Sequence, residues 1–239
     1  MTMNNQNKKM TRTGRYLAAM CLLVLVWSAP ALAQTYEQAI RQSAVFDAQN
    51  GIRKLRPVAP DIRGYGHMVA FTYHGRFQPG SVTLPGDVWV TTQGEVQETC
   101  KRFDRERLQF QLYQLLGLPA NTNYTDFVRI DAKMPDIFRP TPDPRITTEY
   151  PCELQSGQIP ANCGNVFPGD ASQDHKAWIA TQALNSYHVG GYPWTHIGYT
   201  YWWGPHKGGD VYGASEYVIR KGSQVEVVEA MDYTKYCAP

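Results

Sequence analysis

The apolar and polar positions divide the chain into a short apolar leader, a body of mixed periodicity and a tail of period two. Leu17 to Trp27 is an unbroken apolar run. At about eleven residues it is roughly half the ~20 that a bilayer-spanning helix needs. Residues 35–50 (TYEQAIRQSAVFDAQN) have helix-forming composition and stop at Asn50-Gly51, a C-terminal cap signal. Residues 67–73 and 87–92 are β-branched and aromatic runs separated by Pro79-Gly80 and Pro85-Gly86, which predicts two strands. Over 104–116, Leu108, Leu112, Leu115 and Leu116 share one helical face. Asp104 supplies an N-cap and Gly117 and Pro119 stop the run. Residues 125–132 alternate and predict a further strand.

Between 135 and 168 stand Pro135, Pro140, Pro142, Pro144, Pro151, Pro160 and Pro168. A helix interior or central strand does not tolerate that density. Ile137, Phe138, Tyr150 and two cysteines in the same stretch argue for an irregular loop packed on the domain surface rather than a linker. A helix over 173–187 follows, capped by Asp170 or Ser172, with Trp178, Ile179, Leu184 and Tyr187 as its apolar contacts and Gly190-Gly191 at its end. The pattern then turns to period two. Residues 195–203, 211–220 and 224–229 predict three strands of an antiparallel meander. The fold class expected is α+β: a single domain over 34–239 with a mainly antiparallel sheet, a C-terminal three-stranded meander, two or three packed helices and a proline-rich disulfide loop at about 135–171.

Charge and cysteines set the expected compartment. Lys8, Lys9, Arg12 and Arg15 precede the apolar run without an acidic residue, and Ala31-Leu32-Ala33 follows it. This is a signal-peptide pattern over 1–33 with cleavage expected after Ala33, so no stable membrane anchor is expected afterwards and the chain would be periplasmic or extracellular. The full chain holds 23 Lys+Arg against 21 Asp+Glu, and losing those four basic residues leaves a net charge of −2. A general attraction to nucleic acid is therefore not expected. Cys21 departs with the leader; Cys100, Cys152, Cys163 and Cys237 remain. Four cysteines in an oxidising compartment allow three pairings. The turn-forming Pro151, Gly157 and Pro160 favour Cys152–Cys163, which leaves Cys100–Cys237. Zinc ligation is disfavoured because no CxxC pair occurs.

Familiar catalytic signatures (GxSxG, HExxH, Walker loop, GxGxxG, EF-hand) are missing from the chain, and with the cysteines bridged no thiol nucleophile is expected. No cofactor and no metal are expected. Histidine is the side chain suited to proton transfer near neutral pH, and His175, His188, His196 and His206 cluster near Asp210 and Glu216. Spacings of eight, ten and four for His188, His196, His206 and Asp210 match no compact metal motif. If Trp203 pairs with Val211, then Gly198 faces Glu216, His196 faces Val218 and Thr200 faces Ala214, all on one side of the ribbon. A glycine opposite a glutamate opens a hollow, and Glu216 with His196 is the candidate acid–base pair at its rim. Trp194, Thr200, Trp202 and Tyr212 are the candidate ligand-binding residues. The aromatic run Tyr192, Trp194, Tyr199, Tyr201, Trp202 and Trp203 occupies both strand faces, so an open face would offer rings that grip a glycan, small molecule or protein partner.

Ser215-Glu216-Tyr217-Val218-Ile219, with Gly222-Ser223 and Val225-Glu226-Val227 after it, resembles the closing glutamate strand of ADP-ribosyltransferase-type folds over about a dozen residues. The resemblance implies a strand glutamate that holds the ribose of NAD. The arginine and Ser-Thr-Ser elements of such folds are not identifiable upstream, so no family is assigned. Two functions follow from the sequence. One is an exported binding or interaction module using the aromatic and loop surface of the meander. The other is a general acid–base hydrolase, or a glycosyl/ADP-ribosyl-type transferase, with Glu216 and His196 in a small pocket.

Overall fold

A computed structural model describes residues 35–45, 52–152, 163–205 and 210–239. The leader, the Asn50-Gly51 helix stop, residues 153–162 and the loop holding His206 lie outside the described residues. The first helix, α1 (Tyr36–Ser43), starts from a reciprocal cap. The Thr35 hydroxyl accepts the Gln38 N–H at 3.2 Å, and the Gln38 side chain accepts the Thr35 N–H at 2.9 Å. Two otherwise unpaired donors are thereby satisfied.

Seven strands, β1 (Tyr65–Thr72), β2 (Gly80–Thr83), β3 (Val88–Thr92), β4 (Asp126–Lys133), β5 (Ile137–Phe138), β8 (Tyr217–Ile219) and β9 (Gln224–Asp232), form one antiparallel sheet in the order β2-β9-β4-β1-β3-β8-β5. A second sheet of two strands pairs β6 (Tyr199–Tyr201) with β7 (Tyr212–Ser215). Alternation along β1 and β4 splits the core. Met68, Ala70, Val128 and Ile130 pack on one face of the large sheet. Val69 and Phe127 pack on the other against Leu108, Leu112 and Leu115 of α3 (Leu108–Leu115). Full burial of each such side chain stabilises by about 1.5–3 kcal/mol. Phe127 also stacks on Tyr236 of the short α5 (Tyr233–Tyr236) at 3.9 Å. Both favoured cysteine pairs are bonded: Cys100–Cys237 joins α2 (Glu95–Cys100) to the C-terminus, and Cys152–Cys163 closes the proline-rich segment. The α+β class, the antiparallel sheet and the disulfide staples are as the sequence predicts.

Strand partners at the C-terminus differ from the expected meander. The predicted 211–220 strand is cut at Glu216 into β7 and β8, which belong to different sheets. Val218 pairs with Trp89 and Phe138, not with His196, and β9 runs between β2 and β4. Alternation fixes which side of a strand is buried but leaves its neighbour open. The predicted register holds at one end of the β6–β7 hairpin, where Tyr199 faces Ser215 and the Glu216 N–H donates to the Gly198 carbonyl at 2.9 Å. It shifts by one toward the loop, where Tyr201 faces Tyr212.

The proline-rich segment is more deeply placed than a surface loop. Residues 137–143 are all buried, with β5 as the edge strand, the place where nearby proline is tolerated. Arg139, fully buried, organises the turn that follows: its Nη1 donates to Thr148 Oγ1 (2.8 Å) and the Tyr150 carbonyl (2.9 Å), and its Nη2 to the Thr148 carbonyl (2.7 Å). The helix α4 (Gln173–Ser186) starts from Ser172, whose hydroxyl accepts the His175 N–H at 3.1 Å. Its buried residues are His175 and Ser186, while Leu184, expected to pack inward, is 79% exposed.

Candidate active site

The sheet carries a fork. Strands β1 and β3 pair only at Met68–Thr92 and Val69–Thr91, although β1 continues to Thr72 and β3 begins at Val88. Where they part, a cavity of about 410 Å³ opens, lined by both strands, by Leu116–Leu118 after α3, by Gln182 and Asn185 of α4, and by Tyr192–Trp194, Thr200, Tyr201 and Glu216. That volume suits a small molecule.

Glu216 stands at the single-residue joint between β7 and β8, so its backbone is held by both sheets. It lines the cavity, and its Oε2 is buried with no hydrogen-bond partner among the described residues. Although the residue as a whole is half-buried, desolvation pushes its carboxyl well above the usual carboxylate range. Burial without a compensating cation favours the neutral acid. Thr72 and Thr91, also lining residues, each carry a buried Oγ1 without a partner among the described residues. An isolated buried oxygen costs about 1–3 kcal/mol, so three of them among the lining residues mark a surface suited to a polar ligand.

His196 stands behind this wall, its ring 5.8 Å from that of the lining residue Trp194. The Tyr187 hydroxyl lies 2.8 Å from the Trp194 carbonyl and 2.8 Å from His196 Nδ1. A phenol has one proton, so when it is donated to the carbonyl, Nδ1 must carry the hydrogen and donate back. Burial raises the Tyr187 hydroxyl's pKa, and the Glu216 charge raises it further. Neither Tyr187 nor His196 lines the cavity; Tyr187 stacks on Trp194, which does. His196 sits in a tight loop, not a strand, and at φ +49° is the one positive-φ non-glycine among the described residues. The Thr195 hydroxyl closes that loop onto the Tyr199 carbonyl at 2.6 Å.

The hollow expected above Gly198 is filled. A Cβ there would lie 3.0 Å from Arg139 Cδ and 3.1 Å from Leu55 Cδ1; the open space is in the fork instead. Of the four ligand-binding candidates, Trp194 and Thr200 line the cavity. The Trp194 indole donates to the Pro140 carbonyl at 3.1 Å, and the Thr200 hydroxyl donates to the Leu115 carbonyl at 2.7 Å. Trp202 packs on Phe103, and Tyr212 lies under Arg53; neither lines the cavity. Tyr199, Tyr201 and Trp203 are buried, so most of the aromatic run is core.

Among the described residues the histidines read from sequence, His175, His188 and His196, form no shared group with Asp210 or Glu216. His188 Nδ1 lies 2.8 Å from the Val189 carbonyl, and Asp210 pairs with Arg53. Another group, Asp61, His67 and Asp131, brings its oxygen and nitrogen atoms within 4.8 Å of one another. Arg63 already bonds both carboxylates at 2.8 Å, which makes this an ion-pair network. The sequence reading missed Thr72 and Thr91. A threonine ending an apolar strand, Thr72 in β1 and the Thr91-Thr92 pair in β3, was the available signal.

Among the described residues no helix is long and apolar enough to cross a membrane. No protein-family model matches the chain, and comparison with curated proteins and with solved structures likewise gives no match, so the site is read from its own geometry.

Proposed function

We propose that the chain is an exported enzyme that hydrolyses or transfers a glycosyl-type group, of the glycosyl or ADP-ribosyl kind, with Glu216 as its general acid–base. The observation that carries this is the unpaired, buried Oε2 of Glu216 on the wall of the cavity in the fork. A carboxylic acid kept neutral by desolvation can protonate a leaving group at neutral pH. In the step envisaged, the Glu216 proton passes to the leaving atom as its bond to the sugar carbon breaks. Water or an acceptor hydroxyl then bonds to that carbon and returns a proton to the carboxylate. Thr91 supplies a hydroxyl beside the reacting group, and the Tyr187–His196 pair backs the wall. The resemblance around Glu216 to a ribose-holding strand supports the same substrate class. Export is supported by the two disulfides, which persist in oxidising compartments, together with the leader pattern.

The test is release of nitrophenol from nitrophenyl glycosides and of nicotinamide from NAD by the secreted protein. We expect at least one of these activities, reduced about a hundredfold or more in Glu216→Gln, in line with the typical worth of a general acid. Equal rates in both proteins would sink the assignment. A binding module is the second reading, and the roughly half-exposed Tyr73 and Tyr192 favour it. It predicts ligand affinity without turnover.

A further inference from the structure

Arg76 follows β1 and lines the outer part of the cavity with Phe77, Tyr124 and Tyr192. Its guanidinium lies over the rings of Tyr73 at 5.6 Å and Phe77 at 5.2 Å, which fixes its position by cation–π attraction. Among the described residues it has no ion-pair partner. Neighbouring carboxylates are already engaged. Asp126 accepts from Gly75 N–H and Thr125 Oγ1 and lies 3.0 Å from His74 Nδ1. Asp87 accepts from Trp178 Nε1 and from the Lys221 N–H, each at 2.7 Å. Tyr124, a lining residue, stands with its ring centre 6.4 Å from that of Tyr73, the ring under the cation.

Resting on the cavity assignment above, we infer that this outer end is an oxyanion subsite centred on Arg76, and that the ligand is an elongated molecule with a ring toward Glu216 and a phosphate or carboxylate toward Arg76. Arg is suited to this because its planar fork matches an oxyanion and is weakly hydrated. Register gives the length. Val69 lies opposite Thr91, whose neighbour Val90 pairs with Tyr217 beside Glu216, and Tyr73, just past the end of β1, is four residues further along the chain, about 13 Å at the rise of an extended strand. A single sugar ring is too short to reach both ends, whereas a ring carrying a phosphorylated arm is not. The Asp87 carboxylate on the β3 side keeps the anion on the β1 side of the fork.

Binding of phenyl phosphate, benzoate and benzyl alcohol to the full mature protein at low salt, followed by fluorescence of the cavity-lining Trp89 and Trp194, tests this. The two anions should bind about tenfold or more tightly than the alcohol, as charge-assisted hydrogen bonds imply, and the stronger of them identifies the group. Arg76→Gln should erase the preference without weakening benzyl alcohol, and Arg76→Lys should keep part of it. Equal binding of all three probes, or a preference surviving in Arg76→Gln, overturns the subsite and leaves the Glu216 assignment standing. Failure of every probe to bind overturns both the subsite and the cavity as a ligand site.

Discussion

Glu95 Oε1 accepts both the backbone N–H and the hydroxyl of Ser215, each at 2.9 Å. Its other oxygen accepts the Thr92 hydroxyl at 2.9 Å, and Ser215 Oγ in turn accepts the Arg56 N–H at 2.8 Å. The start of α2 is thereby fastened to the residue just before Glu216, whose own N–H is held by Gly198. Burial raises the Glu95 carboxyl, while the bonds from Ser215 and Thr92 oppose the rise. Removing the acceptor leaves a buried N–H and hydroxyl unpaired. Glu95→Ala should cost about 2–3 kcal/mol in urea unfolding. Glu95→Gln, which keeps an acceptor, should cost less than half as much. Equal losses for the two would mean that the charge, not the hydrogen bonds, matters.

Glu216 should make stability fall as the medium becomes alkaline. Its folded pKa lies above the unfolded value because of desolvation. The protonated form is therefore favoured by the fold, its contribution is complete below the unfolded pKa of about 4.3, and it is lost as pH rises through the folded value. Glu216→Gln cannot ionise and should flatten this slope. Melting temperatures from pH 4 to pH 9 check it: parallel curves for the two proteins would show that the carboxyl does not titrate within the fold.

Arg139 should be the most sensitive position of the proline-rich segment. Its three hydrogen bonds hold residues 148 and 150 against β5, and Gly198 packs on its stem. Arg139→Ala should lose about 3 kcal/mol or more, since bonds to a charged donor are worth ~1.5–3 kcal/mol each. Lysine lacks the fork and should restore less than half of that. Chemical denaturation of both variants measures the difference; full rescue by lysine would contradict the role given to the fork.

The two disulfides should differ in worth. Cys100–Cys237 spans 137 residues and Cys152–Cys163 spans 11. Loop closure in the chain-entropy model gives about 5 and about 3 kcal/mol. Replacing each pair by serines and comparing unfolding free energies should rank them in that order. The opposite order would point to residual structure in the unfolded chain rather than loop length as the governing factor.

Sequence alone determined the local elements and the covalent staples. Capping at Ser172, the Leu108–Leu112–Leu115 face, the β1, β3 and β4 runs and the Cys152–Cys163 pair follow from short-range chemistry (side-chain acceptors, helical spacing, alternation and turn residues), and Cys100–Cys237 follows by elimination. Glu216 and its neighbour Gly198 were also legible, because a hairpin register is a local property. The tertiary structure decided the rest. Which strands lie beside β8 and β9 depends on long-range pairing, and the splitting of β1 from β3 leaves no mark on either strand's pattern. The open space therefore moved from above Gly198, where Arg139 and Leu55 fill it, into that fork, with Thr91 and Arg76 brought to Glu216's cavity from distant parts of the chain. Periodicity reports which side of a strand turns inward; only the packed fold decides what stands there.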